Sequence, residues 1–177
     1  MFTPYYRHVQ SLVRPLKPLP KPARINCPEF DSFDYGKIED LQLLPTKPRW
    51  DLPMMEHWDA SETGAHALLK SFFKSGVEAY PKRRDIPSEV GTSRLSPYLH
   101  FGQITPRSIW ETCIKYPSSG SEAFLRQIIW REFAIYSLFH QPSMDTKPIL
   151  VQFEKFPWLE DEQHLKAWQR GLTGYPI

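Results

Sequence analysis

Residues 121–140 read SEAFLRQIIWREFAIYSLFH, and the reading of this run decides the fold. Phe124, Ile128, Ile129, Phe133, Ile135, Tyr136 and Phe139 make it apolar nearly all round at helical spacing, which predicts a central helix. Arg126, Gln127, Arg131 and Glu132 are embedded in the same run. A charge carried into a core needs a partner, so Arg131 and Glu132 are expected to pair with neighbouring elements.

The pattern around this helix is helical too. Upstream, apolar periodicity begins near Thr63, with Ala67, Leu68, Phe72 and Val77 on one face and Gly76 near its end. Thr105 followed by Pro106 is an N-cap and first helical position, and Ile109, Trp110 and Cys113 supply that helix with a face. Residues 117–120, Pro-Ser-Ser-Gly, are a break. Downstream, Pro142 and Pro148 flank a loop, and a last helix is expected over 160–170. No run has strand quality and no internal repeat is present, so the predicted class is all-α.

The N-terminal third differs. Half of the eighteen prolines fall before residue 54, and Leu-Pro-Lys-Pro around residues 19–22 favours extended polyproline geometry over helix. Residues 14–61 read as a long connector, pinned to a folded surface by Phe30, Phe33, Leu43, Leu44, Trp50 and Trp58. A loop of that length fits a crossing between domains.

Composition narrows the classes. With 177 residues the chain has room for a core, and 24% charged with 41% hydrophobic residues is globular. A net charge of +2 is too small to announce nucleic-acid binding, although Lys82, Arg83 and Arg84 stand together. Cys27 and Cys113 lack metal-ligand spacing and read as free thiols. His66, His100, His140 and His164 form no triad or metal pattern, and no metal is expected. No apolar run reaches the length of a membrane span, and Pro4, Arg7 and His8 interrupt any signal-peptide pattern. The expected setting is cytoplasmic.

Residues 91–107, GTSRLSPYLHFGQITPR, hold the densest chemistry. Two readings stand. One is an ordinary helix start with Thr92 or Ser93 as N-cap. The other is an anion site made by hydroxyls, backbone N–H groups and the planar Arg94 fork.

Taken in order, Tyr80, Arg84, Thr92–Ser96, FLRQIIWREF at 124–133, Phe-Pro-Trp at 156–158, AWQRG at 167–171 and TGYPI at 173–177 resemble the flavin-binding domain of the DNA photolyase and cryptochrome family. The resemblance runs from about residue 62 to 177. It extends more weakly to Phe-Thr-Pro-Tyr-Tyr at residues 2–6, which is similar to the connector preceding that domain. It implies a connector over 1–61 and the N-terminal part of a helical FAD-binding domain over 62–177. The α/β antenna domain and the second half of the flavin pocket are expected outside this chain, so the 177 residues alone should bind FAD poorly and repair nothing.

The resemblance also assigns roles. Tyr80, Thr92, Ser93, Arg94, Leu95, Ser96 and Arg131 match FAD-contacting positions; an ion pair at Arg131 is compatible with that role. Trp130 matches the tryptophan lining the lesion pocket, and Arg84 a DNA-backbone contact. Trp158 matches the outermost tryptophan of the family's electron-transfer chain, whereas Trp168 reads as packing. Gln127 departs from the glutamate common in photolyases that split cyclobutane dimers. It can hydrogen-bond a thymine edge but offers no carboxylic proton, and glutamine also occurs in the branch that repairs (6-4) photoproducts. The implied cofactor is FAD, with a folate or deazaflavin antenna in the other domain. The implied partner is DNA containing pyrimidine dimers, and the implied parent protein is a monomer. The implied activity is light-driven dimer repair by electron transfer from reduced FAD. The alternative is a cryptochrome-type blue-light photoreceptor, against which Trp130 argues.

Overall fold

The structure is a computed structural model that describes residues 1–12, 19–26 and 36–175. Among them every regular element is helical: α1 Phe2–Leu12, α2 Asp51–Met55, α3 Glu62–Ser75, α4 Tyr80–Arg83, α5 Ser96–His100, α6 Pro106–Lys115, α7 Ser119–His140 and α8 Glu162–Gln169. Short 3-10 turns occur at Ile38–Leu41 and Val151–Lys155. No helix of the described residues is long and apolar enough to cross a membrane. The chain divides into two units, Met1–Phe133 and Ala134–Ile177.

Local chemistry sets the helix ends in the first unit. Ser61 caps α3 by accepting the Gly64 N–H at 3.0 Å, and Gly76 closes it. Thr105 caps α6 by accepting the Ser108 N–H at 3.2 Å, with Pro106 following as expected. The helical break is shorter than the sequence indicates. It ends at Ser118, and Gly120 lies inside α7. The reason is packing: a Cβ at Gly120 would overlap the Val77 carbonyl oxygen, so only glycine lets α7 start against the turn after α3.

The core joins Ala65, Leu69 and Phe72 of α3 to Val77, Tyr80, Leu95, Tyr98, Ile104, Ile109, Cys113, Phe124 and Ile128. On α3 the buried face is Ala65–Leu69–Phe72, spaced by four and three, while Ala67 is exposed. At its centre three rings meet edge to face or tilted: Phe72–Tyr80 at 5.6 Å, Phe72–Phe124 at 4.8 Å and Tyr80–Phe124 at 5.3 Å. A second cluster forms where Phe2 and Tyr6 of α1 pack with Ile129 of α7.

Several expectations change. Residues 2–12 form a helix, with Phe2 and Tyr6 buried one turn apart, and α2 also interrupts the connector. Of the expected anchors, Trp58 packs on the core, 6.0 Å from the Tyr98 ring. Leu43, Leu44 and Trp50 are exposed; the two leucines line a shallow hollow built wholly from residues 38–49. Phe30 and Phe33 lie outside the described residues. The α7 helix is central only in its first half, through Phe124, Ile128 and Ile129. Ile135, Tyr136, Leu138 and Phe139 belong to the small second unit, where no described residue is buried, because 44 residues bury little surface.

Burial pushes the Cys113 thiol up to about 12. A thiol so shielded stays protonated and unreactive. A Cys27→Ser variant should therefore label with a thiol reagent at pH 8 only as it unfolds. Complete labelling in minutes without denaturant would show that α6 is not seated as described.

Candidate functional site

Two depressions flank α4. The first has a volume of about 540 Å³ and is lined by Arg84, Arg126, Gln127 and Trp130, with Tyr6, Pro81, Ser119, Glu122 and Ala123 around them. The second, of about 410 Å³, is lined by Ser71, Ser75, Arg83, Thr92, Ser93 and Arg94 over a floor that includes Leu68 and Phe72. Tyr80 and Phe124 lie in the core between.

The first depression gathers Arg84, Gln127 and Trp130, the three residues singled out for DNA. Gln127 and Trp130 share a face because they are three apart on α7. The Trp130 indole is 42% exposed. One of its faces is covered by the Phe2 ring, stacked at 3.8 Å with an interplanar angle of 12°. Arg84 lies 6.0 Å from the centre of the Tyr80 ring and pairs with Asp85 at 3.3 Å. Sequence reasoning missed Tyr6 and gave no role to Arg126. The available signal was spacing, since Glu122, Arg126 and Trp130 are four apart on one helix. Burial raises the Tyr6 hydroxyl above its usual range, Glu122 adds to the rise, and Arg126 opposes it.

The second depression gathers Thr92, Ser93 and Arg94, but not at a helix start. Helix α5 begins only at Ser96, and Leu95 at the cap position makes no side-chain capping bond. Thus neither Thr92 nor Ser93 is an N-cap. Arg94 takes a left-handed turn, φ 55°, and Pro97 sits in the first helical turn, so the hydroxyls precede the helix on a loop. Gly91 sets that loop against α4, because a Cβ there would overlap the Arg83 backbone carbonyl. Ser71 and Ser75, one turn apart on α3, add hydroxyls that an apolar-face reading of α3 passes over. Arg83 is held by Glu89, whereas no carboxylate among the described residues pairs with Arg94. The lining contains two guanidiniums and four hydroxyls and no carboxylate.

The remaining expected residues are dispersed. Leu95 is 1% exposed, so its side chain is core. Ser96 is exposed at the first position of α5. Tyr80 is buried in the aromatic cluster; burial raises its hydroxyl's pKa, and Arg84 opposes the rise. Arg131 pairs with its neighbour Glu132 at 2.7 Å, not with another element, because both side chains reach the surface, 38% and 42% exposed. In the second unit, Trp158 is 76% exposed beside the Phe156 ring at 4.7 Å.

Comparison with known proteins identifies the family. The family model for the FAD binding domain of DNA photolyase matches residues 124–177. A deoxyribodipyrimidine photo-lyase of Agrobacterium fabrum is 35% identical over 181 residues, covering 100% of this chain and 38% of the relative. Cryptochrome-1 of Arabidopsis thaliana is 32% identical over 131 residues, 68% of this chain and 19% of the relative. The crystal structure of a bacterial class III photolyase from Agrobacterium tumefaciens superposes with a TM-score of 0.91 at 34% identity, covering 99% of this chain and 37% of that one. The chain belongs to the DNA photolyase/cryptochrome family and spans less than two fifths of the length of the Agrobacterium relatives it matches. The second depression suits that family's cofactor: unpaired Arg94 and a carboxylate-free, hydroxyl-rich lining suit the diphosphate of FAD.

Proposed function

We propose that this protein takes part in the light-driven repair of pyrimidine dimers in DNA, as a deoxyribodipyrimidine photolyase. The single observation that carries the reading is the first depression, where a half-exposed indole, a neighbouring amide and a guanidinium face one space. A dimer flipped from the duplex presents flat, methyl-bearing surfaces. Trp130 offers these an aromatic wall, and Gln127 can donate to and accept from the thymine edge. Arg84 would hold a backbone phosphate, which supplies affinity and register without sequence preference.

Bound FAD would supply the photoexcited electron that splits the dimer. On this reading Thr92, Ser93 and Arg94, with Ser71 and Ser75, hold its diphosphate. Tyr80, Leu95, Ser96 and Arg131 complete the family's cofactor set; Leu95 would contribute through its backbone, since its side chain is core. Trp158 is proposed as an electron-transfer residue on the family match alone. The chain's own work is positioning and charge compensation.

Trp130→Ala should weaken binding to dimer-bearing duplex by roughly 1–3 kcal/mol, the worth of one aromatic–base stack, while flavin absorbance barely changes. Normal lesion binding together with loss of flavin would make Trp130 a cofactor or core residue and favour photoreception. Gln127→Glu brings in the glutamate common in photolyases that split cyclobutane dimers and, in a protein that also supplies the rest of the flavin domain, should preserve or improve cyclobutane-dimer repair.

A further inference from the structure

Helix α1 does more at the first depression than fill space. Its Phe2 ring backs the Trp130 indole. The Arg126 guanidinium sits 5.6 Å from the centre of the Phe2 ring and 5.3 Å from that of Tyr6. Arg126 projects into the depression that Arg84 and Trp130 line. No ion pair or hydrogen bond among the described residues engages it, not even with Glu122 one turn earlier.

We propose that Arg126, seated against the adjoining Phe2 and Tyr6 rings, is a second DNA-phosphate contact beside Arg84, and that α1 is therefore part of the substrate site. The proposal rests on the repair reading above and extends it to three residues that reading does not use. Cation–ring attraction fixes the guanidinium without consuming the N–H donors a phosphate needs. A side chain already fixed by rings loses less rotamer freedom on binding than a free surface arginine. Glu122 is the one carboxylate in the lining, so two guanidiniums leave the depression net positive and suited to a polyanion.

The test is fluorescence anisotropy with two short duplexes, one carrying a central cyclobutane thymine dimer and one undamaged, over a series of NaCl concentrations. Arg126→Gln should weaken both duplexes several-fold at low salt. It should also make the log K against log [NaCl] slope shallower by roughly 0.9, the release expected for one phosphate contact. Arg126→Lys keeps the charge and should restore most of the slope. Phe2→Leu should lower affinity while leaving the slope near wild type, because the charge remains but is no longer held. Far-UV circular dichroism confirms that each variant is folded. Wild-type affinity and slope in Arg126→Gln, with Arg84→Ala reducing both, would overturn the proposal and leave Arg126 a packing residue. A wild type without preference for the damaged duplex, but with the slope change in Arg126→Gln intact, would sink the repair reading and keep the phosphate contact.

Discussion

Phe124→Ala should remove about 3–5 kcal/mol of unfolding free energy, the range for deleting a large buried ring. Phe124 touches both Phe72 and Tyr80, so its loss opens a cavity where α3, α4 and α7 meet. Since whole domains are stable by only about 5–15 kcal/mol, the variant is expected near the limit of folding. The measurement is the urea midpoint followed by far-UV circular dichroism. Phe139→Ala is the control: its ring is exposed, and such substitutions shift stability by no more than about 0.5 kcal/mol. Equal midpoints for the two variants would contradict the packing described for α7.

In a protein that also supplies the rest of the flavin domain, Arg94→Ala should lower flavin retention at least about tenfold, because a charge-assisted contact is worth roughly 1.5–3 kcal/mol. The check is the absorbance ratio of flavin to protein after dialysis against a range of FAD concentrations. Ser96→Ala is the informative partner. Ser96 stands at the start of α5 and does not line the second depression, so its effect should be the smaller. Unchanged occupancy in both variants would remove this loop from the cofactor site.

What could be read from the sequence is what depends on neighbours in the chain. The Thr105 cap, the helix through 121–140 and the shared face of Gln127 and Trp130 follow from spacing and local hydrogen bonding. The donor set at 92–94 is visible by residue type but its place is not, because α5 starts only at Ser96 and Arg94 takes a positive φ in the loop before it. Ser71 and Ser75 have no signal in the sequence, and Arg83 shows there only as one of a basic run, because the second depression is assembled from α3, α4 and a loop. Arg126 was visible as an embedded charge needing company. That company, Phe2 and Tyr6, comes from the opposite end of the chain, and no local pattern points to it. The FAD and lesion assignments came from the family resemblance, since composition and a net charge of +2 would not have raised them.

Helix α4 is only four residues long, and the arginines at its end line different spaces: Arg83, its last residue, lines the second depression, and Arg84, its C-cap, lines the first. A single turn of backbone therefore belongs to both. A ligand that displaced Arg83 enough to move this turn would also move the backbone that carries Arg84, and the converse would hold for a ligand on Arg84. Such coupling is a state function: a given change in affinity at one space caused by occupancy of the other must be matched in the reverse direction. Were the two spaces coupled in this way, their loading would form one thermodynamic cycle closed through a single helical turn. Lys82, the remaining basic residue of that turn, is exposed and offers a place to alter its charge without entering either space.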